Sequence, residues 1–279
     1  MINRREFCLA LGASFLLPQR IIAAQRATFL SKTYQHSGSE TMRYRLFIPE
    51  NYDQGKKYPL VLWLHGGAGR GDDNLKQISG GNTIGSHVWT QPEKQSEHPC
   101  FVVAPQCPDN ESWATVETAK PTRQMRLVIE LLRDLAGTFS LDAQRFYVAG
   151  QSMGGFGAWS VITEHPDMFA AAVPICGGGD ESAAQKIAGM PIWAFHGEKD
   201  EAVSVERSRK MIAAIRHAGG APRYTEYKGA DHVIWDRVFH EPELLPWVFA
   251  SRRPNSTDPA SARVQGPSTA CPATVEART

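Results

Sequence analysis

Cysteine is scarce in this sequence, and neither sign of charge is in excess. The 279 residues include five cysteines and no Cys-x-x-Cys pair, which argues against a disulfide scaffold and against a structural zinc site. Lys and Arg total 30 and Asp and Glu total 29, so the net charge of +1 gives no sign of nucleic acid or an anionic membrane surface as a partner. No internal repeat is present. The composition, 42% hydrophobic and 21% charged, is that of a soluble globular protein.

The first 24 residues have the three-part organisation of an export signal. Arg4 and Arg5 precede an apolar run, Cys8–Leu17, and the small-residue site Ile22-Ala23-Ala24 follows. The run is about half the ~20 residues that a transmembrane helix needs. Asn3–Phe7 also resembles the twin-arginine export motif of bacteria. We therefore expect an exported protein, periplasmic or secreted, with a plain Sec signal or an uncleaved anchor as the alternatives.

Removal of that signal would leave four cysteines, Cys100, Cys107, Cys176 and Cys271. Cys107 and Cys176 both follow strand-like runs, so they could lie at the same sheet edge and pair in an oxidising compartment. Unpaired packing is the alternative.

The C-terminal part of the chain differs in composition from the rest. From Arg253 onward it is rich in Pro, Ser, Thr and Ala and has almost no large apolar residue. This composition predicts a disordered tail over 254–279 and leaves a single domain over 25–253.

Strand-like and helix-like segments alternate through the middle of the chain. Thr41–Pro49 alternates polar and apolar residues, as a half-buried strand does, whereas the later strand candidates are continuous apolar runs typical of strands buried on both faces. These runs are Tyr58–Leu64, Phe101–Ala104, Phe146–Ala149, Ala170–Ile175 and Pro191–Phe195. Thr122–Phe139 and Ser204–Ala218 carry apolar residues at helical spacing. The pattern predicts an α/β fold with a mostly parallel central sheet and helices on both faces.

A G-x-S-x-G pentapeptide, Gly150-Gln151-Ser152-Met153-Gly154, lies between a predicted strand, Arg145–Ala149, and a helix-like run, Phe156–Glu164. That strand-to-helix context is the one in which the motif holds a nucleophilic serine on a strained turn. Residues two before and two after the serine crowd each other, so both positions favour glycine. We interpret Ser152 as the nucleophile; the alternative is a glycine-rich turn with an uninvolved serine.

A serine hydroxyl needs a base, and His232 is the best candidate among nine histidines. It follows the strand-like Arg223–Lys228 in a turn, where a base could reach Ser152. His65 and His196 each end a strand just before a glycine, and such histidines usually support loops. The remaining candidates are a helix-end His165 and His217 on a polar helix face.

The imidazole in turn needs an orienting acid. Asp200, just past the strand Pro191–Phe195, completes the chain order Ser152, Asp200, His232. Asp180, which follows the preceding strand, is the alternative.

The oxyanion that forms on the substrate needs hydrogen-bond donors. His65-Gly66-Gly67-Ala68-Gly69 follows the strand Tyr58–Leu64, and its small residues would let backbone N–H groups approach a substrate. We expect the N–H of Gly67 or Ala68 to act together with that of Met153.

Together these residues resemble the α/β-hydrolase superfamily, from about Thr41 to Arg253. The greatest similarity is to small bacterial carboxylesterases of the phospholipase/carboxylesterase, feruloyl-esterase and polyhydroxybutyrate-depolymerase type. Leu64–Asn74 resembles their oxyanion loop, Ala104–Pro108 the loop after their fourth strand, and Glu243–Phe249 their closing helix. The resemblance implies hydrolysis of carboxylic esters through Ser152, Asp200 and His232, with no metal and no organic cofactor.

The connector Cys176–Met190 is short at the point where members of the superfamily with large lids insert them. We therefore expect an open site without a large lid, acting on short-chain, aromatic or sugar-linked esters. Trp113, Trp89 and Trp235 could line the pocket, because aromatic rings bind aromatic acyl groups and sugars well; packing in the core or at loop edges is the alternative for each. Trp113, Trp235 and Gln151 are the candidate substrate-binding residues.

Two other functions remain open. A serine peptidase of the prolyl-oligopeptidase type would share the fold and the triad, although this chain lacks the propeller that normally gates those enzymes. A non-catalytic binding module could also use the same fold. A dinucleotide-binding domain does not fit, because Gly154–Gly157 lacks the G-x-G-x-x-G spacing.

Overall fold

The computed structural model describes residues 28–36, 38, 40–116, 118–254 and 277–278. The predicted export signal, residues 1–24, lies outside the described residues. So does most of the predicted tail, of which Pro254, Ala277 and Arg278 alone are described.

The strands of the described residues form one nine-stranded sheet in the order β1-β2-β4-β3-β5-β6-β7-β8-β9. The strands are β1 (Leu30–Gln35), β2 (Thr41–Phe47), β3 (Tyr58–Leu64), β4 (Phe101–Pro105), β5 (Leu141–Gln151), β6 (Ala171–Ile175), β7 (Trp193–Gly197), β8 (Arg223–Tyr227) and β9 (Ala277–Arg278). β2 pairs antiparallel with both β1 and β4, and every other neighbouring pair is parallel. The mostly parallel sheet predicted from the sequence is confirmed.

The helices of the described residues lie between these strands and after β8. They are α1 (Thr83–His87), α2 (Pro92–Glu97), α3 (Arg123–Thr138), α4 (Met153–Glu164), α5 (Glu206–His217), α6 (Trp235–Phe239) and α7 (Leu244–Ala250). Within the described part of the chain, none of them has the length and apolar content that crossing a bilayer demands.

Successive residues of β3 enter two different hydrophobic clusters. Leu60, Leu62 and Leu64 pack in a cluster with residues of α3, α4 and α5, whereas Val61 and Trp63 pack in a second cluster with residues of α6 and α7. Successive side chains of a strand point to opposite faces of a sheet. The sheet is therefore covered by helices on both faces, which explains why its central strands are continuously apolar.

The carboxyl ends of the parallel strands meet at one edge of the sheet, and the loops that follow them carry the predicted site residues. The connection from β6 to β7 contains only a short 3-10 helix, Glu181–Ile187, so the expected absence of a large insertion there is confirmed.

Cys100, Cys107 and Cys176 are all buried free thiols. The thiol of Cys176 donates to the carbonyl oxygen of His232 at 3.5 Å. The backbone N–H of Cys107 instead donates to the imidazole of His65 at 3.0 Å. The Cys107–Cys176 disulfide that the sequence left open is not formed, and Cys271 lies outside the described residues.

Candidate active site

Ser152 occupies the sharp turn between β5 and α4. Its backbone angles, φ 55° and ψ −116°, lie in a region that non-glycine residues rarely adopt. A Cβ atom on Gly150 would overlap the carbonyl oxygen of Gly154, and one on Gly154 would overlap that of Leu64. The crowding predicted for the two glycines is therefore present in the structure, and the serine between them has the positive φ.

Three side chains far apart in the sequence form a continuous hydrogen-bonded series at this turn. The Nε2 atom of His232 lies 2.9 Å from Oγ of Ser152, and its Nδ1 atom lies 2.7 Å from Oδ2 of Asp200. A carboxylate only accepts, so Nδ1 carries the proton and Nε2 offers its lone pair to the serine hydroxyl. This is the tautomer that a general base for Ser152 requires.

The carboxylate of Asp200 is held by backbone donors as well as by His232. Its Oδ1 atom accepts from the N–H groups of Ala202 and Val203 at 2.9 and 2.8 Å. Burial alone would raise the pKa of this carboxyl, but the hydrogen bonds from Val203 and His232 lower it below its usual value. Asp180 is engaged elsewhere, because its Oδ1 atom accepts from the N–H and the hydroxyl of Ser182.

The candidate oxyanion donors lie at two helix starts. Gly67 and Ala68 begin a one-turn 3-10 helix directly after β3, and Met153 is the first residue of α4. N–H groups in the first turn of a helix have no acceptor within the helix, so these three remain available to a ligand. The N–H of Gly66 is not available to a ligand, because it donates to Oδ1 of Asn82 at 3.0 Å.

The loop that carries Gly67 and Ala68 is supported by the buried imidazole of His65. Its Nδ1 atom donates to the carbonyl oxygen of Gly66 at 2.7 Å, and its Nε2 atom accepts from the N–H of Cys107 at 3.0 Å. A proton on Nε2 would point at the N–H group of Cys107. Burial lowers the pKa of His65 to about 4.

We expect this imidazole to make the protein less stable in mild acid. Between pH 6.5 and about 4 the unfolded chain binds a proton at His65 that the folded chain does not, so stability falls as the pH falls. The expected loss is about 3 kcal/mol. Denaturant unfolding at pH 7.5 and 4.5 measures it, with His65→Gln as the comparison. The variant should be less stable at pH 7.5 but lose less on acidification. Equal losses in the two proteins would contradict this assignment.

The predicted substrate-binding residues do not share one environment. Trp113 is fully buried and donates through Nε1 to the carbonyl oxygen of His65, so its predicted place in the pocket wall does not fit its burial. Gln151 is also buried, and its amide donates to the carbonyl oxygen of Gly81. Trp235 is also buried, at 9% exposed, but it is the one of the three whose ring packs edge-on against His232, with the centroids 5.2 Å apart.

Sequence reasoning missed an exposed apolar side chain beside the base. Val233 directly follows His232 and is 68% exposed. Single exposed apolar residues are common on protein surfaces. Its exposure directly after the proposed base makes it a candidate contact for a ligand.

A cleft of about 560 Å³ opens at the same edge of the sheet. The loops after β4, β6 and β7 form it, and its lining residues carry charges of both signs: Lys120, Asp180, Glu181, Glu206, Arg207 and Lys210 are among them. Arg207 also lies over the ring of Phe156, in the first turn of the helix that Ser152 precedes. A cleft of about 620 Å³ at the opposite edge, lined by Tyr58, Pro59 and Pro99, is remote from these residues.

Cys176, His196 and Asp200 form a buried cluster of side chains of metal-ligating type, with one candidate atom from each within 4.8 Å of the others. Both ring nitrogens of His196 are already bonded to protein groups, namely the hydroxyl of Ser208 and the carbonyl oxygen of Val203. In this structure the cluster is a closed hydrogen-bonded unit.

Comparison with known proteins agrees with this fold. The family model described as "Putative esterase" matches residues 36–211. A solved thermostable esterase is 42% identical, with a TM-score of 0.77 over 81% of this chain and 63% of that one. A secreted protein of Arthroderma benhamiae, described as uncharacterized, is 24% identical over 250 residues, which are 78% of this chain and 26% of that protein.

A protein of Aspergillus terreus, described as probable feruloyl esterase C, is 28% identical over 171 residues, which are 60% of this chain and 58% of that protein. The chain therefore spans less than two thirds of the length of each of these three relatives. The family model nevertheless matches well over half of the chain, and the sheet order and the solved relative agree with it. The chain belongs to the Esterase family and has the α/β-hydrolase fold.

Proposed function

We propose that this protein hydrolyses carboxylic esters by transferring the acyl group first to Ser152 and then to water. The observation that supports the proposal most strongly is the hydrogen-bonded series from Asp200 through His232 to Ser152, with the serine on a strained turn at a helix start. Membership of the Esterase family and the 42% identical thermostable esterase agree with it.

In the first half of the proposed cycle, Oγ of Ser152 attacks the carbonyl carbon of the ester while Nε2 of His232 takes the hydroxyl proton. The carbonyl oxygen becomes an oxyanion, which the N–H groups of Met153 and of Gly67 or Ala68 stabilise; loss of one such donor typically costs ~3 kcal/mol. Asp200 stabilises the imidazolium. The imidazolium then gives its proton to the leaving oxygen, the bond to the alcohol breaks, and an acyl-serine remains.

In the second half, a water molecule takes the place of the alcohol. His232 removes a proton from it, the resulting hydroxide attacks the acyl carbon, and a second oxyanion forms in the same position. Return of the proton to Oγ of Ser152 releases the carboxylic acid and restores the enzyme. Acyl transfer of this kind uses only protein groups and water, so the proposal includes no cofactor.

We propose short-chain, aromatic or sugar-linked esters as the substrates. The site has no large lid, which argues against a lipase that needs interfacial opening to act on long-chain esters. Trp235 and Val233, which flank His232, offer apolar contact to a small acyl group. The similarity to a protein described as a feruloyl esterase supports the aromatic option.

Covalent labelling and a substrate panel test the proposal. A fluorophosphonate should label the purified protein once, at Ser152, and the protein should hydrolyse short aryl, feruloyl or acetylated-sugar esters faster than long-chain esters. Preference for peptide anilides would instead support the peptidase alternative. Failure of both labelling and hydrolysis would support the non-catalytic binding module.

We also propose that the protein is exported. The proposal depends on the sequence of residues 1–24, with Arg4 and Arg5 before an apolar run, and a relative described as secreted agrees with it. Cell fractionation of the full-length chain in a bacterial host tests it, with the Arg4→Lys, Arg5→Lys double substitution separating twin-arginine export from Sec export.

A further inference from the structure

A second imidazole, that of His196, contacts the carboxylate of Asp200. His196 is the fourth residue of β7 and is completely buried. Its Nε2 atom lies 3.2 Å from Oδ2 of Asp200, the same oxygen that Nδ1 of His232 contacts at 2.7 Å. One carboxylate oxygen is therefore shared by two imidazoles, of which only His232 reaches the serine.

The partners of His196 determine where its proton lies. Nε2 is 2.9 Å from the carbonyl oxygen of Val203, which can only accept, so Nε2 carries the proton and is shared between that oxygen and Asp200. Nδ1 then offers its lone pair to the hydroxyl of Ser208 at 2.7 Å. Ser208 belongs to α5, so this contact joins the helix to the carboxylate through the imidazole.

We propose that His196 is a positioning residue for the ester hydrolysis proposed above, and that it acts by holding Oδ2 of Asp200 in line with Nδ1 of His232. The carbonyl oxygen of Val203 fixes the tautomer that allows this, and the hydroxyl of Ser208 holds Nδ1 in place. The hydrogen-bonded series therefore runs from Ser208 through His196, Asp200 and His232 to Ser152. It depends on the proposed esterase activity for its functional meaning.

The geometry around Asp200 explains why a further donor is needed. The two backbone donors, from Ala202 and Val203, both bind Oδ1, so they restrain one oxygen and leave the other free to move with its partners. The side chain of His232 is 21% exposed and moves a proton in the proposed reaction, whereas His196 is completely buried and is bonded at both ring nitrogens. His196 is thus the rigid partner of the oxygen that His232 uses.

His196 must remain neutral to act in this way. The titratable groups that face it are Asp200, His232 and Glu226, with the thiol of Cys176 in the same buried cluster. Burial lowers the pKa of His196 below its usual value, although the hydrogen bond to Val203 and the charge of Asp200 oppose this. A neutral imidazole donates to Asp200 without adding a positive charge that would compete with the imidazolium of His232.

A pair of substitutions at His196 tests the proposal. His196→Leu removes the donor, whereas His196→Gln keeps an N–H group that can reach Asp200. Rates are measured per active site, with sites counted by fluorophosphonate labelling. We expect His196→Leu to lower kcat about 10- to 100-fold with little change in KM. Because Asp200 then has one donor fewer, its negative charge stabilises the imidazolium of His232 more strongly. The acidic limb of the profile of kcat/KM against pH should therefore move to higher pH.

His196→Gln should recover most of kcat and the original pH profile. A purely structural role would lower the number of labelled sites and the melting temperature, but it would leave kcat per site and the pH profile unchanged in both variants; that result overturns the proposal. If His196→Leu does not fold, Ser208→Ala gives the same two readouts, because it keeps the imidazole but removes the hydrogen bond that holds Nδ1 to α5. Absence of hydrolysis and labelling in the unmodified protein would instead contradict the proposed function.

Discussion

Ser152→Ala is expected to lower kcat for a short aryl ester by about 10⁶-fold, the size of loss measured when the nucleophile of another serine hydrolase is removed. The substitution deletes the atom that accepts the acyl group but leaves the turn intact, because alanine meets the same backbone strain at φ 55° as serine does. Hydrolysis by the purified variant and its labelling by a fluorophosphonate are the measurements. Labelling should disappear entirely.

Ser160→Ala is the matched control for this change. Ser160 lies in α4, two turns beyond Ser152, and its buried hydroxyl has no partner among the described residues. Removal of an unpaired buried hydroxyl is neutral or stabilising. We therefore expect full activity, full labelling and an equal or higher melting temperature. Retention of ester hydrolysis by purified Ser152→Ala, beyond what contamination explains, would refute the assignment of the nucleophile.

The sequence predicts the central strands well because burial on both faces produces an apolar run that ends where the chain reaches the sheet edge. β3 has the predicted bounds, Tyr58–Leu64, and β4 and β6 differ from prediction by one residue. β5 extends from Leu141 to Gln151, well beyond its predicted apolar run, because polar residues at its start lie at the end of the sheet. The edge strand β1 has no such pattern, since four of its six residues are exposed.

The sequence predicts the site residues whose type and position the chemistry requires. It does not predict those whose position depends on packing. Ser152 follows from a motif whose glycines have a steric reason, and His232 and Asp200 follow from the chain order of strand-end loops. The partnership of His196 with Asp200 and Ser208 joins β7 to a helix ten residues downstream, and nothing in the sequence separates this histidine from one that merely supports a loop. The burial of Trp113 is likewise a result of packing, against His65 and the first turns of α4.

Asp200→Asn is expected to lower kcat by about 10⁴-fold while leaving the fold intact. The N–H groups of Ala202 and Val203 both point at Oδ1, so the oxygen of the asparagine amide must take that place. The amide nitrogen, which only donates, then replaces Oδ2 and faces Nδ1 of His232, while Nε2 of His196 keeps the carbonyl oxygen of Val203 as its acceptor. His232 can accept this bond only by moving its own proton to Nε2. That nitrogen then faces Oγ of Ser152 with a proton in place of a lone pair, and it cannot act as a base.

Asp180→Asn is the matched control, since Asp180 follows the neighbouring strand and was the alternative acid on sequence grounds. Its Oδ1 atom accepts from Ser182, a role that the amide oxygen of asparagine can keep, so kcat should change by less than about twofold. Asp200→Asn lacks the unprotonated Nε2 of His232 that activates Ser152. Its labelling by a fluorophosphonate should therefore slow in parallel with kcat. A large loss in Asp180→Asn with a small one in Asp200→Asn would reverse the assignment of the acid.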